Sequence, residues 1–146
     1  MVNQSKSKPK HHNHAHPRAR ATGFRRITYA CVNSYFGFKT AWEEEAFKSE
    51  ILVFFACVPL SFYISTNYMQ QIGLIAVSGL VILTELLNTA IERTIDRIGV
   101  DHNEISGQAK DLGSAAVLVS LLIFLCVWVP SIWNWWSINT HLGSIS

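Results

Sequence analysis

Charged residues are excluded from two long stretches of this chain. No Asp, Glu, Lys or Arg occurs between Ile51 and Thr84, and none follows Asp111. A helix of about 20 apolar residues is long enough to cross the hydrocarbon core of a bilayer. The pattern therefore predicts an all-α membrane protein with three transmembrane helices. The predicted spans are about 47–66, 70–98 and 108–133.

The segments outside the spans differ from one another in character. Residues 1–22 carry five basic residues, four histidines and no acidic residue, which predicts a disordered basic tail. The alternatives for this tail are a histidine metal site and a tether to anionic lipid. Residues 24–45 space their apolar side chains for an amphipathic surface helix, with a break near 33–37. Residues 137–146 are predicted to be a second tail, so the membrane domain is 23–136.

Composition and charge support a membrane location and give its orientation. The chain is 49% hydrophobic and 15% charged, which is a low charge content for a soluble domain. Basic residues precede the first span and flank the second loop, whereas 65–71 contains none. By the positive-inside rule the N-terminus is cytoplasmic and the C-terminus lies outside. The three cysteines are odd in number and do not indicate a disulfide framework.

A row of polar residues ends the second predicted span. At about 3.6 residues per turn, one helical face carries Glu85, Asn88, Glu92 and Asp96. Counted from Ile72 at about 1.5 Å per residue, Glu85 lies roughly 20 Å into a hydrocarbon core about 30 Å thick. Glu92 lies roughly 30 Å along, at the surface. An ionised side chain at the bilayer centre costs roughly 2.5–3.5 kcal/mol or more, so the row indicates a function.

The acidic residues allow more than one role. Glu85 at the edge of lipid is placed to act as a general base toward a lipid hydroxyl. Glu92, in water, is placed to hold a divalent cation. Alternatively, Glu85 and Asn88 make hydrogen bonds that pack neighbouring helices together. The run Glu43–Glu45 is either a solvated face or a part of metal or phosphate chemistry.

Lys110 and Asp111 lie near the start of the third span. Ser106 is a candidate N-cap, and the free N–H groups behind it would favour an anion beside Lys110. The alternative is that Lys110 and Asp111 form an ordinary surface pair. The chain contains no Gly-x-x-x-x-Gly-Lys-Ser/Thr loop and no protein-kinase signature. Nucleotide chemistry would therefore use a different scaffold.

The same segments resemble the prokaryotic diacylglycerol kinase family. The resemblance is carried by ELLNTAIE at 85–92, DRIG at 96–99 and EISGQAKDLGSAAV at 104–117. Weaker likeness extends back through Glu43–Glu50 to Gly23. The last motif is closer to the diacylglycerol branch of the family than to the undecaprenol branch.

The resemblance implies a homotrimer of the bacterial inner membrane with its sites between chains. It implies transfer of the ATP γ-phosphate, with Mg²⁺, to the hydroxyl of diacylglycerol, which gives phosphatidate; the alternative is an undecaprenol kinase. Glu85 matches the general base, and Glu44 and Glu92 match the metal ligands. The implied nucleotide-binding residues are Arg26, Glu44, Asn88, Glu92, Lys110 and Asp111. The implied lipid-binding residues are Ser34, Trp42, Glu50 and Ser114.

The chain departs from the family pattern in two places. The acidic run offers two candidates for one metal ligand; counting back from Phe47 gives Glu44, and Glu45 is the alternative. Residues 101–103 read Asp-His-Asn where the family usually has Glu-Tyr-His, so no adenine contact is assigned there.

A small oligomeric membrane transporter is the alternative from another class of protein. In that case Glu85 and Asn88 would line a pathway through the bilayer. A transporter has little use for further charged groups gathered at one membrane surface, which favours the kinase. No nucleic-acid partner is expected.

Overall fold

The structure is a computed structural model, and it describes residues 23–99 and 103–143. These residues form four helices: α1 (Phe24–Ala41), α2 (Glu45–Ile64), α3 (Tyr68–Ile98) and α4 (Glu104–Gly143). Helices α2, α3 and α4 are each long and apolar enough to cross a membrane. In the described residues, the prediction of an all-helical fold with three helices long and apolar enough to span a membrane is therefore confirmed. The predicted tail at 1–22 lies outside the described residues.

The chain divides into two compact units, one ending at Phe38 and the other beginning at Lys39. In the first unit α1 is a single helix with exposed side chains. It continues through Asn33 and Gly37 and ends at Ala41, so neither the predicted break at 33–37 nor the extension to 45 is observed. One helical glycine costs only about 1 kcal/mol relative to alanine, which is too little to interrupt a helix of 18 residues.

In the second unit a short connection at 65–67 joins α2 to α3. The Asn67 side chain accepts a hydrogen bond from the Gln70 N–H at 2.9 Å. The Gln70 side chain accepts in return from the Thr66 N–H and hydroxyl, each at 2.9 Å. Reciprocal bonds of this kind satisfy N–H groups that a helix start leaves free. They fix the beginning of α3 at Tyr68, slightly earlier than predicted.

The start of α4 is capped by Asn103. Its side-chain oxygen accepts from the N–H groups of Ile105 at 2.9 Å and Ser106 at 3.4 Å. The prediction that Ser106 is the N-cap is therefore wrong, because α4 already begins at Glu104. A short polar side chain just before a helix, such as that of Asn103, reaches these free N–H groups. A polar side chain inside the first turn, such as that of Ser106, cannot do so.

The other end of α4 extends through residues that were predicted to be a tail. The helix continues to Gly143 rather than ending near 133. Asn139 and Thr140 bond back to carbonyl oxygens four residues earlier, at 2.8 and 3.0 Å. Such bonds satisfy polar side chains within a helix, so the uncharged polar residues there do not end it.

α3 lies at the centre of the second unit, with α2 and α4 packed against it. Its buried stripe follows helical spacing and consists of Leu74, Ser78, Val81, Glu85 and Asn88. Near the connection, Leu74 forms a core cluster with Cys57, Ile64 and Trp128. Toward the C-terminus of α3 the same stripe turns polar. The fold therefore directs Glu85 and Asn88 inward, on the face that also carries the core.

Candidate active site

The polar end of α3 brings together most of the acidic residues of the second unit. Glu85 is 6% exposed and Asn88 9% exposed, while Glu92 is half-buried and Asp96 exposed. Exposure therefore increases along the row toward the end of the helix. Only the first two positions are shielded from the surroundings by α2 and α4.

Three more carboxylates interact electrostatically with Glu85. Each lies close enough to Glu85 for electrostatic repulsion between the two carboxylates: Glu50 of α2, Glu44 just before α2, and Glu92 of α3. Glu50 Oε2 is buried and has no hydrogen-bond partner in the described residues. Gathered carboxylates repel one another. A cation, or a hydrogen-bond donor on a ligand, would relieve that repulsion.

Asn88 orients Glu92 and lies directly against α4. The Asn88 Nδ2 donates to Glu92 Oε1 at 3.1 Å. Gly113 of α4 approaches so closely that a methyl group there would overlap Asn88 Oδ1. Small residues allow helices to approach in this way. The missing side chain at Gly113 thus decides where the Asn88 amide lies, and through it the Glu92 carboxylate.

Lys110 supplies a positive charge at the outer end of the row. Its Nζ contacts Asp96 Oδ1 at 2.6 Å, and both side chains are exposed. Its charge also interacts with that of Glu92. Exposed ion pairs contribute little to stability, so Lys110 is available to an anionic ligand without much loss to the fold.

The acidic run before α2 is divided between two partners. Arg93 of α3 donates through Nη2 to Glu43 Oε2 at 2.9 Å and to Glu44 Oε1 at 3.0 Å. Glu45 instead pairs with Lys48 of its own helix at 2.6 Å. Of the two candidates for a metal ligand, Glu44 is therefore the one that faces α3.

Arg93 was not among the residues that sequence reasoning assigned to the site. The signal available was its position directly after Glu92, about 100° further around the helix. That signal becomes informative only once the start of α2 is known to lie beside it.

The remaining predicted residues are exposed: Arg26 and Ser34 of α1, Trp42, and Asp111 and Ser114 of α4. Arg26 and Ser34 belong to the first unit, which is separate from the unit that contains Glu85. The Trp42 ring packs edge-on against buried Phe47, with centroids 6.4 Å apart. Asp111 forms no ion pair with any residue in 23–99 or 103–143. Among the described residues of the second unit, Trp42, Asp111 and Ser114 form no hydrogen bond or ion pair with the Glu85 cluster.

A largely apolar groove opens beside Glu50. Its empty volume is about 450 Å³ when the space open to the surroundings is included. Its lining consists of Ser49, Glu50, Val53, Phe54, Ser78, Val81, Leu121 and Phe124. Glu50 is the one ionisable side chain in that lining. The groove therefore offers an apolar surface that ends at the carboxylate cluster.

The described residues contain no group of three or more His, Cys, Asp or Glu side chains that would hold a metal ion. Mg²⁺ carried with a nucleotide, however, is usually held by one or two carboxylates and by phosphate oxygens. Glu44 and Glu92 both lie within electrostatic range of Glu85. These two carboxylates fit a site of that kind, in which the nucleotide supplies further ligands.

Comparison with known proteins gives one consistent similarity. A family model described as prokaryotic diacylglycerol kinase matches residues 32–132. A diacylglycerol kinase of Escherichia coli (strain K12) is 38% identical over 114 residues, which are 77% of this chain and 93% of that protein. The Haemophilus influenzae protein of that name is 37% identical over 110 residues, which are 75% of this chain and 93% of that protein. The Helicobacter pylori (strain ATCC 700392 / 26695) diacylglycerol kinase is 33% identical over 110 residues, which are 75% of this chain and 86% of that protein.

Proposed function

Because the chain belongs to the prokaryotic diacylglycerol kinase family, we propose that it transfers the γ-phosphate of ATP to the free hydroxyl of diacylglycerol. The product is phosphatidate. The observation that carries the proposal is the buried Glu85 at the centre of the carboxylate cluster. Phosphoryl transfer asks a protein mainly for positioning and charge neutralisation. Carboxylates, a lysine and an apolar groove gathered at one end of a helical bundle are suited to that task.

Glu85 is the proposed general base. A base must approach the hydroxyl within hydrogen-bond distance, and a lipid hydroxyl reaches only the edge of the bilayer. Glu85 is 6% exposed and lies one helical turn beyond Val81, which lines the groove. A lipid in the groove would therefore bring its hydroxyl toward Glu85 and exclude bulk water.

The Mg²⁺–ATP complex is proposed to bind on the outer side of Glu85. Bound Mg²⁺ would neutralise the charge that develops on the phosphates. Glu44 and Glu92 would hold the ion, and Asn88 keeps Glu92 oriented through its amide. Lys110 would turn from Asp96 to the triphosphate. Arg26 and Asp111 are proposed as further nucleotide contacts from the family resemblance.

The groove is proposed to take an acyl chain of the lipid. Its lining is apolar apart from Glu50 and two serines, which suits hydrocarbon. Glu50 Oε2 is buried without a partner in the described residues and would accept a hydrogen bond from the lipid head. Ser34, Trp42 and Ser114 are proposed lipid contacts from the resemblance.

The working protein is proposed to be a homotrimer in the bacterial inner membrane, with a cytoplasmic N-terminus and sites between chains. Basic residues near the polar end of α3 support the orientation. A second apolar groove on α3 and α4, lined by residues such as Thr84, Ala115 and Ala116, supports close contact with another helix. Cross-linking in mild detergent is expected to give trimers, and monomer alone would contradict this part of the proposal.

One assay tests the proposed reaction. Purified protein in mixed micelles receives labelled ATP and either diacylglycerol, undecaprenol or ceramide. Labelled phosphatidate is the expected product. Labelled undecaprenyl phosphate alone would establish the alternative acceptor, and transfer to none of the lipids by folded protein would contradict a lipid kinase. The charges gathered near Glu85 favour the kinase over a transporter.

A further inference from the structure

Arg93 holds two carboxylates that a bound cation would otherwise attract. Its Nη2 lies 2.9 Å from Glu43 Oε2, 3.0 Å from Glu44 Oε1 and 3.4 Å from the Thr40 carbonyl oxygen. A single nitrogen of the guanidinium thus makes all three contacts. Adjacent Glu43 and Glu44 face the same point because this positive charge offsets their repulsion.

The arrangement is accessible to a ligand. The side chain of Arg93 is 41% exposed, and so is that of Glu44. A guanidinium carries five N–H donors, and the acceptors found in 23–99 and 103–143 occupy Nη2 alone. The N–H groups of Nε and Nη1 are therefore available to donate to a new partner without prior loss of a bond.

We propose that Arg93 exchanges partners when Mg²⁺–ATP binds, an inference that rests on the proposed function of Glu44. In the free protein Arg93 occupies the Glu44 carboxylate in place of the cation. When the complex arrives, Glu44 turns to the Mg²⁺ and Arg93 donates to the triphosphate oxygens. Arg93 is then a further nucleotide-binding residue of this site.

The exchange keeps Glu44 and Arg93 paired in both states, while Glu43, whose side chain is 68% exposed, turns to solvent once Arg93 leaves it. Before binding, the guanidinium offsets Glu43 and Glu44; after binding, the cation takes over Glu44 and the triphosphate takes over Arg93. The planar guanidinium matches phosphate oxygens through paired hydrogen bonds. Because Arg93 follows Glu92, the second proposed metal ligand, Arg93 lies at the same turn of α3 as the proposed cation site.

The proposal predicts opposite effects on two binding constants in the Arg93→Gln protein. Mn²⁺ alone, followed by electron paramagnetic resonance, is expected to bind several times more tightly because Glu44 is no longer occupied. A non-hydrolysable ATP analogue with Mg²⁺ is expected to bind roughly tenfold more weakly, since a charged hydrogen-bond donor is lost. A purely structural role of Arg93 would weaken both. Weakening of both, no change in either, or no detectable Mn²⁺ binding would overturn the exchange.

Two further variants separate this inference from the proposed function. Lys48→Gln removes the same charge from the neighbouring Glu45 pair and should change neither constant. Glu44→Gln should abolish the gain in Mn²⁺ affinity when combined with Arg93→Gln. If Glu44→Gln alone leaves the binding of the Mg²⁺–analogue complex unchanged, Glu44 is not a metal ligand, and the proposed role of Glu44 is what fails. Arg93→Lys should restore part of the analogue binding.

Discussion

The two ends of the α2–α4 bundle are built in opposite ways. At the connection between α2 and α3, the polar groups of Thr66, Asn67 and Gln70 satisfy one another. At the other end, Glu50 Oε2 and Asn88 Oδ1 are buried without partners in the described residues. Buried polar atoms in native proteins are nearly always paired. The difference supports the proposal that the end with Glu50 and Asn88 binds the ligand, while the connection serves stability.

The interface between α3 and α4 shows the same contrast. Near the connection, the buried Trp128 indole donates to Ser78 Oγ at 3.1 Å within an apolar cluster. Near the polar end, the two helices meet through Gly113 and Asn88. A large side chain fills the first contact, whereas the second is a close approach that the missing side chain of Gly113 allows. Substitutions at the two ends should therefore separate stability from activity.

Glu85→Gln is expected to have the largest effect on activity. The variant keeps the shape of the side chain but removes the proposed base, and a general base typically contributes about 10²–10⁴-fold to rate. Turnover measured with labelled ATP and diacylglycerol in micelles should fall by that order, while thermal melting stays close to that of the unaltered protein. Glu104→Gln, at the exposed start of α4, is the matched control and should retain full turnover. Comparable turnover in both variants would remove Glu85 from the base role.

Gly113→Ala is expected to reduce both activity and stability. The added methyl group would overlap Asn88 Oδ1, displace the amide and release Glu92. We expect the KM for Mg²⁺–ATP to rise roughly tenfold, in line with loss of a support for a metal ligand. Overpacking of this kind also costs about 1–3 kcal/mol of unfolding free energy.

Gly73→Ala provides the control for that substitution. A methyl group at Gly73 of α3 meets nothing within 4 Å. The KM for Mg²⁺–ATP and the free energy of unfolding should therefore stay near their original values in Gly73→Ala. An unchanged KM in Gly113→Ala, with stability reduced, would mean that Asn88 has a packing role alone.

Much of this contrast was accessible from the sequence, and the part that was not has a physical reason. Hydropathy and helical periodicity are local properties, so the three spans and the shared face of Glu85 and Asn88 could be predicted. The contact of Arg93 with Glu44 joins residues 49 apart in the chain. It depends on how the start of α2 lies against α3, which no local pattern determines.

The prediction of the N-cap of α4 failed for a different reason. Ser106 and Asn103 are both good N-cap residues, and the sequence offered no means of choosing between them. The choice was made by the actual start of α4 at Glu104.

Trp128→Phe is expected to reduce stability and leave turnover per folded molecule unchanged. The variant removes the indole donor, but the Ser78 hydroxyl still donates to the Leu74 carbonyl oxygen at 2.7 Å. The expected cost is therefore that of one hydrogen bond, about 0.5–1.5 kcal/mol. Unfolding in mixed micelles would be followed by intrinsic fluorescence, with Trp133→Phe at a 74% exposed position as the control. A loss of turnover as large as the loss of folded protein is the expected result. A greater loss of turnover would mean that the core end also shapes the site.

The two asparagine caps give the smallest and most discriminating comparison. Asn67→Ala and Asn103→Ala each remove one N-cap, at opposite ends of the bundle, and each should cost about 0.5–2 kcal/mol. Only Asn103→Ala loosens the turn of α4 that leads to Lys110, so it alone should raise the KM for Mg²⁺–ATP, by a few-fold. If both variants lose the same stability, the difference in KM between them cannot come from global loosening, because global loosening would affect both alike. If Asn67→Ala raised the KM as much, the separation of a stabilising end from a ligand-binding end would not hold.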